Sequence, residues 1–175
     1  VLIVNGIGVF LLLRLLFTRA AGQEAHFHWE RLFTAMILLT ILGLTSEAMS
    51  FLIDGTRFPG SRVLNTLLNT LCFLSATTLG YLWCLFTEFR IFNNLLRVRK
   101  TAFRLLPILL LMYILCLVNL KNGIFFTVSP ENVYQRGRLI VVPYLVVFFD
   151  YFYTLCLNDI SRKSGLHLRT MSPLT

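Results

Sequence analysis

Residues 32–53 read LFTAMILLTILGLTSEAMSFLI, an apolar run about as long as a lipid bilayer is thick. Four other apolar runs occupy residues 1–17, 63–86, 102–120 and 139–157. Across the 175 residues, 57% are hydrophobic and the mean hydropathy is +0.75. A water-soluble domain of this composition would expose far more apolar surface than soluble monomers do. The sequence therefore predicts an integral membrane protein.

The secondary structure of the five runs follows from the demands of lipid. Only α-helices and closed barrels satisfy every backbone polar group in a bilayer. The runs are about twice as long as barrel strands, and they do not alternate apolar with polar residues. We predict an all-α membrane protein, a bundle of five transmembrane helices in which residues 1–175 form a single polytopic membrane domain. Because the first run lacks an initiator Met and the last residues are polar, we expect truncation at both ends.

The net charge of +8 is distributed unevenly between the two sets of helix ends. Eleven basic residues flank one set and five flank the other. The larger set is Arg14, Arg19, Arg31, Arg90, Arg97, Arg99, Lys100, Arg104, Arg162, Lys163 and Arg169, and the smaller set is Arg57, Arg62, Lys121, Arg136 and Arg138. Lys and Arg in short loops mark the cytoplasmic side, so this distribution predicts an external N-terminus and a cytoplasmic C-terminus.

This topology places the basic loop 88–101 inside and the loops 54–62 and 121–138 outside. The run of basic residues at 97–100 suits anionic lipid headgroups. Topology thus accounts for the positive charge, and we expect the lipid bilayer, not nucleic acid, as its partner.

Sequence signatures of chemistry are few. The chain contains no phosphate-binding glycine motif, no nucleophile elbow and no zinc-protease motif, so we assign no catalytic residue and no cofactor. In a helical connector, Glu24 would pair with His28 and His26 with Glu30. Because only two His occur here and no Cys joins them, an amphipathic connector is favoured over a metal site.

Polar residues inside the apolar runs suggest a ligand site. Glu47 lies in the second run with Ser50 on the same face, and Asn65 and Asn69 lie on one face of the third. At 1.5 Å per residue, Glu47 is about 9 Å and Asn69 about 10 Å below the same surface. We expect these two side chains to face each other, with Tyr144 of the fifth run at a similar level.

Asp150 lies deeper, about 16 Å from the external end of the fifth run. A charge within a bilayer costs about 2.5–3.5 kcal/mol on insertion scales, so buried carboxylates are candidates for function. Two interpretations of Glu47 and Asp150 remain open: packing residues that are neutral or hydrogen-bonded, or members of a ligand pocket or proton-linked switch. The candidate ligand-binding set is Glu47, Ser50, Asn65, Asn69, Tyr144 and Asp150.

The connection before the fifth run carries a recognisable pattern. Residues 123–137 read GIFFTVSPENVYQRG, in which residues 129–132 have the composition of a turn. Glu131 and Asn132 are followed by Tyr134, Arg136 and Gly137. This pattern, the helix count and the basic flanks resemble the N-terminal membrane region of bacterial GGDEF-type diguanylate cyclases and of related multi-helix sensor histidine kinases.

The resemblance implies a sensor region in the bacterial cytoplasmic membrane. It would couple an external or membrane signal, such as an unknown small molecule, to a cytoplasmic output domain that is not among these residues. A diguanylate cyclase is expected first and a histidine kinase second, with homodimerisation through that domain. The alternative function is a transporter or channel subunit, which would need a continuous polar route and a site near the midplane. An intramembrane enzyme is the third possibility.

Overall fold

Five helices and one short hairpin form the described part of the chain. The computed structural model describes the backbone of residues 1–21 and 28–163, and the side chains of residues 1–18 and 30–161. The elements are α1 (Leu2–Ala21), α2 (His28–Ile53), α3 (Ser61–Phe92), α4 (Leu95–Asn122), β1 (Phe126–Val128), β2 (Tyr134–Arg136) and α5 (Val141–Lys163). The predicted helical architecture is confirmed, with a two-stranded antiparallel hairpin in addition.

Four of the helices are long and apolar enough to cross a membrane. Their candidate spans are Glu30–Ile53, Ser61–Phe92, Leu95–Asn122 and Val141–Ser161. The apolar part of α1 is shorter and covers Leu2–Thr18. The helices thus indicate a multi-pass membrane protein, and a fifth span by α1 stays a prediction.

Helix α3 is the centre of the arrangement. It packs against α2, α4 and α5, whereas α1 packs against α2. Helices α4 and α5 make little contact with each other. We call the end of the bundle that carries β1 and β2 the hairpin end. The opposite end, where α3 passes into α4, is the turn end.

Small residues bring α2 close to α3. Ser46, Ser50 and Ser75 are buried, and a Cβ added at Gly43 would lie 3.5 Å from the Cβ of Ser75. Short side chains let helix backbones approach closely in a membrane, where lipid supplies no hydrophobic drive between helices. Gly43 of α2 therefore lies against Ser75 of α3.

The predicted loop 88–101 is wrong in extent, because helix covers most of it. Helix α3 continues to Phe92, and only Asn93 and Asn94 separate it from α4. Asn93 ends α3 in the left-handed conformation at φ 44°. The Asn94 side chain caps α4 by accepting hydrogen bonds from the amides of Leu96 and Arg97, at 3.0 and 3.2 Å.

Candidate functional site

The connection between α4 and α5 folds back onto the bundle as a hairpin. The Ser129 amide donates to the Val133 carbonyl at 2.9 Å, and the Asn132 amide donates to the Ser129 carbonyl at 3.0 Å. Asn132 has φ 62°, a conformation that Asn tolerates better than most residues. The predicted turn at 129–132 is thereby confirmed. The strands on either side of it were not predicted, since each has only three residues.

An apolar plug closes the hairpin end. Phe125, Phe126 and Val128 are buried and pack with Met112 and Cys116 of α4. The Phe126 ring stacks between two other aromatic rings, those of Phe73 and Tyr134, with 5.7 Å between centroids in each case. The hairpin is therefore part of the protein's core.

Three polar residues join the hairpin to the adjacent helix ends, and we call Asp54, Asn65 and Asn132 the polar latch. The buried Asn65 amide group donates to Asp54 Oδ1 and to Asn132 Oδ1, both at 3.1 Å. The buried Asn132 amide group donates to the carbonyls of Ile53 at 2.6 Å and Thr56 at 3.0 Å. The latch thus fixes the hairpin to the end of α2 and the start of α3.

Gly137 is required by close backbone approach. Its amide donates to the Phe125 carbonyl at 2.8 Å. A Cβ added at Gly137 would meet the carbonyl oxygen of Ile124 and would lie 2.6 Å from that of Gly123. No side chain fits there unless the hairpin moves away from the end of α4.

The other residues of the sequence pattern divide between packing and the surface. The Tyr134 ring is half-buried, and this burial raises the pKa of its hydroxyl. Its amide donates to Asp54 Oδ1 at 2.8 Å. Glu131 and Arg136 are exposed. A hydrogen bond from the Ser129 side chain lowers the pKa of Glu131, which favours its ionised form.

Glu47 and Asn69, expected to face each other, have different hydrogen-bond partners. Glu47 Oε2 accepts from the side-chain amide of Asn5 at 2.8 Å. The Asn69 amide group donates to the carbonyl and side-chain oxygens of Asn65, at 2.9 and 2.8 Å. The reason is that α1 presents a buried donor to Glu47, while Asn65 lies one helical turn from Asn69. Asn5 is a polar residue within the first apolar run, and this feature of the sequence could have identified it as a partner for Glu47.

Two of the three remaining predicted residues, Ser50 of α2 and Tyr144 of α5, differ in their exposure. Ser50 is buried and donates to the Glu47 carbonyl of its own helix at 2.9 Å. The structure places Tyr144 on the outside of the bundle, with 63% of its surface exposed. Tyr144 therefore does not line an interior pocket with the α2 residues.

Asp150 lies against α3, in a cluster of its own. Only 5% of its surface is exposed. The Cys84 thiol donates to the Asp150 carbonyl at 3.4 Å and to its Oδ1 at 3.8 Å. A Cβ added at Gly80 would lie 3.2 Å from Asp150 Cγ, so the absence of a side chain at Gly80 makes room for the carboxyl group.

A buried carboxylate near the turn end was missed by the sequence analysis. Glu88 is 1% exposed, forms an ion pair with Arg97 of α4 and accepts a hydrogen bond from the Tyr153 hydroxyl of α5 at 3.2 Å. The Arg97 guanidinium also lies 3.4 Å from the centre of the Phe92 ring. Because residues 88–101 were predicted to be a loop, nothing indicated that Glu88 would be buried. Its side chain joins three helices.

The described part of the chain contains no group of three or more His, Cys, Asp and Glu side chains that could hold a metal ion. The side chains of Glu24, His26 and His28 lie outside the described residues. Comparisons with protein-family models, with curated proteins and with solved structures found no match for this chain.

Proposed function

We propose that this chain is the membrane sensor region of a bacterial signal-transduction protein. A single observation carries the proposal: α5 packs against α3 and connects the two ends of the bundle. At the hairpin end, Val142 and Val146 pack against the apolar plug. Midway, Asp150 lies against α3, and further along the Tyr153 hydroxyl donates to Glu88.

This arrangement supports signal transmission along α5. A change in the hairpin would act on the first turns of α5 through the plug, and a shift of α5 would reach the junction with Glu88. Shifts of 1–2 Å between packed helices are a known type of switching transition.

The closed hairpin end favours a sensor over a transporter or channel. A transport route needs polar side chains along a continuous path through the bundle. In the described residues, the buried rings of the apolar plug occupy the hairpin end on the side of α4, and the polar side chains at the same end bond to one another in the polar latch.

The orientation belongs to the same proposal. The eleven-to-five distribution of Lys and Arg supports a cytoplasmic turn end and an external hairpin end, in the bacterial cytoplasmic membrane. A small molecule or the state of the membrane would supply the signal. The output would come from a cytoplasmic domain of a longer protein, and the same domain would form the homodimer. We expect a diguanylate cyclase in the first place and a histidine kinase as the second choice.

The test compares two Tyr→Leu variants of the natural full-length protein in its own membranes. Tyr134→Leu removes a ring that stacks on Phe126, whereas Tyr144→Leu changes an exposed side chain nearby. Cyclic dinucleotide production or autophosphorylation is measured at equal membrane abundance. We expect Tyr134→Leu to shift the output severalfold and Tyr144→Leu to leave it unchanged.

Two results would contradict the proposal. One is a full reading frame that encodes no soluble output domain beyond a further apolar segment of about 20 residues. The other is an output that responds equally to both substitutions, since the hairpin would then have no special connection to it.

A further inference from the structure

An apolar groove opens between α4 and α5. Its volume is about 260 Å³, and it is lined by Ile108, Val142, Leu145, Val146 and Phe149. The groove exists because α4 and α5 each pack against α3 and barely contact each other. Ligand pockets usually measure about 300–1,000 Å³, so this groove suits one hydrocarbon chain or a small ring.

A smaller cavity shares part of its lining with the groove and includes Asp150. Its volume is about 10 Å³, and Thr77, Tyr81 and Asp150 are the polar residues among those that line it. Ile108 and Val146 line both the cavity and the groove. A space of this size is close to the minimum that holds one water molecule, so it accommodates a single small polar group.

Asp150 lacks a strong hydrogen-bond donor within the described residues. Cys84 offers a thiol at 3.8 Å from Oδ1, and a thiol is a weak donor. The other carboxylate oxygen lies against Gly80, which has no side chain. The hydroxyls of Thr77 and Tyr81 donate to backbone carbonyls instead. A buried acceptor without a partner is costly, so the cavity favours an occupant that donates to Asp150.

We propose that the groove and cavity together bind a bilayer-soluble molecule with an apolar body and one hydroxyl group. The hydroxyl lies in the cavity and donates to Asp150, and the body lies in the groove. Asp150 is nine residues after the start of α5, about 14 Å along the helix and near mid-bilayer, where an ionic head would be expensive. A neutral hydroxyl matches both the depth and the size of the cavity.

Binding is tested on the full chain, purified into phosphatidylcholine bilayers. The probe is a ten-carbon alcohol with a photoreactive diazirine at its tail, and the matched control is the methyl ether of the same molecule. Labelled peptides are mapped by mass spectrometry. We expect the alcohol to label α4 and α5 along the groove saturably, about tenfold more than the ether at low concentration.

Three variants locate the site. Asp150→Leu keeps a similar shape but removes the acceptor, so labelling by the alcohol should fall to the level of the ether. Val146→Leu adds a methylene to the shared wall and should also reduce labelling while Asp150 is intact. Phe148→Leu, at a side chain that is 69% exposed, should change nothing and serves as the control. Helix content measured by circular dichroism confirms that each variant is folded.

Equal, non-saturating labelling by alcohol and ether would overturn the site, because the groove would then be an ordinary contact with lipid tails. Undiminished labelling of both folded variants, Asp150→Leu and Val146→Leu, would do the same. The inference rests on the proposed function only in treating this molecule as a signal. If the alcohol binds but never alters the output of the natural protein, the site stands and its role as the signal is refuted, whereas the sensor proposal is decided by the two Tyr variants.

Discussion

Asn132 contributes to the hairpin through both its side chain and its backbone conformation. Its amide group donates to the carbonyls of Ile53 and Thr56, and its φ of 62° is a left-handed conformation that Gly and Asn adopt more readily than other residues. We expect Asn132→Gly to lower the free energy of unfolding by about 2 kcal/mol, because each buried group left unpaired costs about 1–3 kcal/mol. Asn132→Ala should cost about 1 kcal/mol more, since the left-handed conformation is unfavourable for alanine.

Detergent unfolding titrations monitored by circular dichroism measure both variants of Asn132. Equal stability of the Gly and Ala variants would mean that the left-handed conformation is not maintained in the bilayer. If both variants were as stable as the unsubstituted protein, the polar latch would not contribute to stability.

Gly137 and Gly6 provide a matched pair of glycine substitutions. A Cβ at Gly137 would collide with backbone carbonyls, whereas nothing lies within 4 Å of a Cβ at Gly6 in α1. Gly137→Ala should therefore destabilise the protein by at least about 2 kcal/mol, in the range of overpacked cores. Gly6→Ala should be neutral or stabilise it by up to about 1 kcal/mol, since Ala favours helix. Thermal inactivation in detergent compares the two, and a tolerated Gly137→Ala would show that the hairpin can separate from α4.

Single residues show which part of the candidate site could be predicted. The rule that polar groups in a membrane face the interior correctly predicts buried positions for Asn65, Ser50 and Asp150. The partners could not be predicted, because helical periodicity specifies a face but not the neighbouring helix. Asn5 therefore takes the place at Glu47 that was expected for Asn69.

At the scale of helices, the contact between α3 and α5 includes one complementary pair. Gly80 gives room to Asp150, so Gly80→Ala should cost about 1–3 kcal/mol through overpacking. Asp150→Ala removes the carboxyl group, which supplies the closest of the colliding atoms, and in the double variant the cost of Gly80→Ala should shrink by at least about 1 kcal/mol. Gly43→Ala is the control, since its Cβ would make an ordinary contact with Ser75.

Unfolding free energies of the four species complete this double-mutant cycle. Strict additivity would indicate that α5 has moved away from Gly80 in the bilayer. A loss at Gly43→Ala as large as that at Gly80→Ala would show that the close α2–α3 contact is equally restrictive.

The extents of the elements were harder to predict than their number. Apolar runs indicate the part of each helix within lipid, so five runs correctly predict five helices. They do not indicate how far a helix continues beyond the lipid, because capping residues determine where it ends. Asn93 and Asn94 end α3 and begin α4 within two residues, far inside the predicted loop 88–101. The hairpin was missed because its strands are short and are stabilised by aromatic packing with α3.

For the whole molecule, helix length relates the bundle to the bilayer. The 32 residues of α3 extend about 48 Å, whereas the hydrocarbon core measures about 30 Å. Glu88 lies four residues before the end of α3. With a hydrocarbon core centred on α3, its ion pair with Arg97 would lie near the headgroups, where charges cost less than at mid-bilayer. A shift of α5 near Glu88 could therefore be transmitted to a soluble domain outside the membrane.

The orientation of the bundle in the membrane is predicted from the distribution of charge. The turn end carries most of the Lys and Arg residues, so it should face the cytoplasm. Glu131 and Lys100 are exposed at opposite ends of the bundle, and each can be replaced by Cys after the four native cysteines are changed to Ala. A membrane-impermeant thiol reagent applied to intact cells should label the Glu131→Cys variant at once. The Lys100→Cys variant should react only after the membrane is permeabilised.

Labelling of both variants from the same side would show that the chain does not cross the bilayer between these two positions, or crosses it an even number of times. Helix α4 would then fail to span the bilayer despite its length, and the hairpin and the basic turn end would face one compartment. The reverse pattern, with Lys100→Cys accessible first, would keep α4 as a span but invert the orientation. In that case the positive charge would not govern topology, and the proposed path from an external hairpin to a cytoplasmic turn end would run the wrong way.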